Sequence, residues 1–246
     1  MKATVRTKGR GRLAGRDYLV PMARRLPQVA GVVFAVLFAA ALVTVPPLPG
    51  IDKSGEAIVA HVVAHGSAIR LQALLVALGS LALVIVLGHA RTRFDGAAGH
   101  VLTIGSAVII TEVAVEFWFS SGLALHARSL DPATARILAD VAVMWGPLLT
   151  VADVMVAVPV ALASVQQRFP RWVGALAVVF ALEQLVETVT IVGGPGFIEP
   201  GGAMNLYVGG PLFVVFFLAL GLTSGPTRPK DVSDGRGGPT KYSDAN

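Results

Sequence analysis

Residues 103–122 read TIGSAVIITEVAVEFWFSSG. Apart from Glu112 and Glu116, this is the mostly apolar run of about 20 residues that a helix needs to cross the hydrocarbon core of a bilayer. The two carboxylates stand four residues apart, so on a helix they share one face. The fold turns on whether this stretch lies in lipid. The rest of the chain answers that it does. Only 14% of the 246 residues are charged, where a soluble domain has about 25%. Mean hydropathy is +0.70, and the apolar residues come in long blocks rather than in the short periodic faces of a soluble core.

Six blocks are long enough to span: Pro27–Val45, Ile69–Gly88, Val101–Leu123, Ile137–Ala163, Trp172–Val192 and Met204–Thr223. The fourth holds Pro147 and Pro159, which predicts a kinked helix. Asp131 and Pro132 mark its start as cap and first helical residue. Before the second span, GEAIVAHVVAHGSAIR (55–70) predicts a short helix with an apolar stripe of Ile58, Val59, Val62 and Val63. The fold class expected is all-α, a six-span bundle with that short helix on the outer side. The domain plan is a basic tail at 1–26, a membrane domain at 27–223 and a Gly-, Pro- and charge-rich disordered tail at 224–246. The first block is expected to stay as an uncleaved anchor, since TVPPLPG after it lacks a small-residue cleavage site.

Basic residues set the orientation. Sixteen of the twenty Lys and Arg fall in the two tails and in the second and fourth connections. The other side has Lys53, Arg70, Arg128 and Arg136. Both termini are therefore expected in the cytoplasm. Arg outnumbers Lys three to one, which reads as the coding bias of a high-GC bacterium. The bilayer is the expected partner, with anionic lipid at the N-terminal tail. A second copy of the chain or a partner subunit in the membrane is also compatible with the sequence. The pI near 10 comes without any nucleic-acid-binding module, so no nucleic acid is expected. With no Cys, disulfides, thiol catalysis and Cys-ligated metals are excluded.

The acidic pair recurs. ALEQLVETVT in the fifth block places Glu183 and Glu187 four apart, and both spans run in the same direction. Glu112 and Glu183 each lie eleven residues into their blocks, which predicts matching depth. Glu116 and Glu187 follow about 6 Å further out. Asp153 sits near mid-depth in the fourth block, and Asp140 near its outer end. Five charged, unpaired acids at such depth would cost on the order of 12–18 kcal/mol on insertion scales. Lys and Arg are absent from mid-depth in all six blocks, so ion pairs cannot offset that cost. The acids must be protonated, wetted, or binding cations. The bland alternative is that protonated acids act as interhelical glue, each bond contributing about 0.6 kcal/mol.

His61 and His65 are also four apart, a workable metal-ligand spacing and a pH-sensitive one. Alternatively they face headgroups and water at the interface. With Asp140 they form an expected outer gate. With Glu116 and Glu187 they form a metal-ligand alternative, suited to zinc, manganese or iron. No cofactor is expected otherwise, and no P-loop, GxSxG or dinucleotide fingerprint occurs.

RFPRWVGALAVVFAL (168–182) and AHGSAIRLQALL (64–75) resemble the starts of the fifth and second spans in uncharacterised six-span membrane proteins of high-GC bacteria. The resemblance covers the layout of residues 25–225 and implies an all-helical bundle. It implies no ligand or catalytic residues. The function expected is a membrane protein whose buried carboxylates, Glu112, Glu116, Asp153, Glu183 and Glu187, bind protons or a cation, coupled to transport of a small solute. The alternatives are a non-catalytic membrane scaffold and an intramembrane metal-dependent enzyme.

Overall fold

The structure is a computed structural model. It describes residues 16–225; side chains are described from Arg25 onward, apart from Leu149. The expected disordered tail at 224–246 and the outer part of the basic tail lie almost wholly outside the described residues. Six α-helices make the bundle: α1 (Arg16–Thr44), α2 (Gly55–Arg91), α3 (Gly96–Leu125), α4 (Pro132–Val165), α5 (Arg171–Val189) and α6 (Gly210–Thr223). Among the described residues there is no strand. All six helices, α6 counted with the turn that leads into it, are long and apolar enough to cross a membrane. Their outward faces carry Val29, Val36, Leu71, Leu74, Leu78 and Leu81, all exposed. A lipid-facing surface has that composition, and a water-facing one does not. The chain is a multi-pass membrane protein.

Two boundaries differ from the sequence reading. The expected short helix before the second span is not separate, since 55–70 forms the first turns of α2. No proline interrupts it, the helix runs through Gly66 and Ser67, and Ile58, Val62 and Ile69 bury against Ala127, Ala135 and Ala139. Of the predicted stripe, Val63 is exposed. α1 likewise begins at Arg16, so the end of the basic tail continues the first span as helix.

Sequential neighbours pack in order around the bundle, and α1 closes it against α6. α2 also touches α4 and α6, which places it toward the middle. Close approach is bought with small residues. A Cβ on Gly221 of α6 would stand 2.7 Å from the Cα of Gly31 on α1. On Gly105 of α3 it would stand 2.9 Å from the carbonyl of Ala152 on α4.

The two ends of the bundle are built differently. At the end bearing the termini, Arg93 donates to the carbonyls of Arg168 (2.5 Å), Thr223 (2.7 Å) and Gly225. Its guanidinium lies 4.9 Å from the centre of the Phe169 ring, and Arg168 returns a bond to the Arg93 carbonyl at 2.7 Å. Above this clamp, Phe34, Phe180, Phe216 and Phe217 are fully buried in contact. The opposite end is hollow.

Candidate functional site

A cavity of about 270 Å³ occupies that end. Its mouth is formed by the α1–α2 connection (Val45 to Leu48), by Ser120 near the end of α3 and by Gly201 before α6. Phe38 and Phe213, with ring centres 5.2 Å apart, form its apolar floor.

Four of the five predicted acids line this cavity: Glu112 and Glu116 from α3, Asp153 from α4 and Glu187 from α5. Glu112 is 9% exposed, Asp153 4% and Glu187 2%. Glu116, one turn further out, is exposed where the cavity widens. The i,i+4 spacing on α3 thus stacks one acid at the base and one toward the mouth. The fifth acid, Glu183, is 9% exposed but does not line the cavity. One of its oxygens accepts from the neighbouring Gln184 at 2.8 Å.

Hydrogen bonding separates these acids. Glu187 accepts from the Asn205 amide. Glu112 Oε2, Asp153 Oδ1 and Glu183 Oε1 are buried with no hydrogen-bond partner among the described residues. An orphaned buried polar atom costs about 1–3 kcal/mol, more if charged. A buried group of this kind needs a partner or a proton, and two of the three, on Glu112 and Asp153, belong to acids that line the cavity. The ion pairs among the described residues are Lys53–Asp52, Arg136–Asp140 and Arg168–Asp95. The five acids take part in none of them, and neither Lys nor Arg lines the cavity.

The structure adds polar groups that sequence reasoning missed. Gln72, Thr150, Gln184 and Asn205 all line the cavity. Gln72 donates to the Ala41 carbonyl at 2.9 Å. Thr150 shares a 2.6 Å hydroxyl bond with Thr188, tying α4 to α5. Asn205 opens a π turn, Asn205–Gly209, closed by the Gly210 N–H on the Asn205 carbonyl. Pro211 follows at once and has no N–H for the α-helical bond to Tyr207, which favours this wide turn. Gly209 is what lets the turn meet α5. A Cβ there would stand 2.8 Å from Glu187 Oε2 and 3.0 Å from Glu183 Oε1. In sequence, Asn205 was a polar residue at the head of an apolar span, and that was its only signal.

The expected outer-gate residues do not all line the cavity. His61 lines the cavity and His65 does not, although their rings lie 4.8 Å apart. Asp140 pairs with Arg136, one turn away on α4, and does not line the cavity. Arg136 also donates to the carbonyls of Gly50 (3.1 Å) and Lys53 (3.4 Å). Arg136 therefore holds the α1–α2 connection onto α4, and Asp140 is its ion-pair partner. Among the described residues, no three His, Asp or Glu side chains converge as a metal site. The set His61, His65, Glu116 and Glu187 is thus not assembled: three of the four line the cavity without forming a cluster, and His65 lies off it.

No family model, curated protein or solved structure matches the chain. The site is read from its own geometry.

Proposed function

We propose that the protein is a bacterial inner-membrane protein, with both termini cytoplasmic, whose carboxylate cavity binds protons or a cation and couples that binding to transport of a small solute. The observation that carries this reading is the convergence of Glu112, Glu116, Asp153 and Glu187 on one cavity that neither Lys nor Arg lines. Acids at such depth persist where they mark ion or proton pathways. The orphan carboxylate oxygens of Glu112 and Asp153, both of which line the cavity, support a site that receives protons or cations from outside the chain. The asymmetry of the bundle supports alternating access, with the cavity open at the end away from the termini and a packed, clamped end below it. The basic residues at the termini-bearing end support its cytoplasmic placement.

The scaffold reading expects the acids to reach partner helices. Burial of Glu112, Asp153, Glu183 and Glu187 inside the chain's own bundle weighs against it.

The test uses purified protein in detergent and in sealed vesicles. Glu112→Gln and Asp153→Asn are expected to change proton uptake in a pH titration, and to slow proton flux in vesicles by at least tenfold. Wild-type titration curves and fluxes in both variants would overturn the assignment.

A further inference from the structure

The cavity's walls say more about its occupant than its acids alone do. Its volume of about 270 Å³ is room for many water molecules rather than one or two. A single bare ion would leave most of that space unfilled. The acids also do not converge as a cage, since among the described residues no metal-holding cluster forms. An anion would meet four carboxyl groups, with His61 the one basic side chain in the lining. A wholly apolar molecule would strand the buried oxygens of Glu112 and Asp153.

The lining has two characters. At its base stand those two orphaned carboxylates, both more than nine-tenths buried, with the amides of Gln184 and Asn205 nearby. Beside them stand Phe38 and Phe213 from α1 and α6, and Phe117 from α3. Aromatic faces attract desolvated cations and pack against hydrocarbon equally well. An ammonium group carries three N–H donors, and donors are what Glu112 Oε2 and Asp153 Oδ1 lack. We infer that the cavity takes a small organic ammonium ion, its charged end on Glu112 and Asp153 and a short apolar body against the phenylalanines. This rests on the proton- or cation-binding reading above and narrows it to a substrate class. In a proton-holding pocket, arrival of the ammonium displaces a proton from the acids, so binding strengthens as pH rises.

Isothermal titration of the full-length protein in detergent with n-butylammonium tests this. Saturable binding is expected, strengthening by up to about tenfold per pH unit if one proton is displaced. From ethyl- to butylammonium, affinity should rise about fourfold per added carbon, as burial of one methylene implies. Neutral n-butanol should not saturate. Glu112→Gln and Asp153→Asn should each weaken butylammonium binding at least tenfold. The wild-type chain-length series decides the matter if either variant fails to fold. Equal binding of butanol, or a flat chain-length series, overturns the inference. So does saturable binding of sodium, potassium or magnesium without butylammonium, an outcome that leaves the cation-site reading standing. Absence of all cation binding, with proton titration unchanged in Glu112→Gln, overturns both.

Discussion

Glu183 and Glu187 are one turn apart on α5, yet they meet different surroundings. Glu187 lines the cavity and is held by Asn205, whereas Glu183 lies off the cavity, bonded to its neighbour Gln184. The recurring spacing in the sequence predicts matching depth, and depth alone does not reveal this difference. It depends on the π turn and on Gly209, long-range facts that a helical period cannot encode. A Gly209→Ala substitution puts a methyl group against the tips of both carboxylates. These are the ends of flexible chains, so the fold should survive while the acids move aside. Proton affinity measured by titration should shift, with the detergent-solubilised protein still monodisperse. Asp131 offers a simpler case at the membrane edge. Its carboxylate accepts the Thr134 backbone N–H at 2.9 Å, which holds its pKa below the ordinary carboxylate value. A lowered pKa contributes stability above the ordinary value and loses it as pH falls through the lowered one. Asp131→Ala should therefore lower the melting midpoint by a few degrees near neutrality, and the difference from wild type should shrink below about pH 4.

At the scale of elements, hydropathy located all six spans, because the length of an apolar run is a strong and local signal. Boundaries were less legible. The apolar stripe of 55–70 predicts a short separate helix carrying His61 and His65, but packing of Ile58 and Val62 against α4 continues α2 into that region. The contacts between helices were not legible at all. The approach of Gly31 to Gly221 needs two glycines nearly two hundred residues apart. A Gly221→Val change would force backbone against backbone, where no side chain can yield. Overpacking of that kind costs typically about 1–3 kcal/mol or more. A lowered melting midpoint and a lower folded yield in detergent are expected, and wild-type values would show that α1 and α6 are not in contact there.

Across the whole molecule, the acids face a cavity that opens away from the termini, and Arg93 ties three chain segments together at the other end. Replacing Arg93 by Ala removes those bonds and the contact with Phe169. The termini-bearing end should loosen, and faster labelling of a cysteine introduced near Phe94 would report it. The chain has no native Cys to add background. The sequence already implied that five acids without basic neighbours need a shared solution. That four of them gather in one cavity is a property of the bundle. Infrared difference spectroscopy of the carboxyl stretch, in water and in heavy water, addresses that claim most directly. Wild-type protein should show a protonated carboxyl band that responds to a pH step and shifts promptly in heavy water, and Glu112→Gln and Asp153→Asn should each remove intensity and move what remains. Bands that neither exchange nor respond to either substitution would contradict a shared wet cavity.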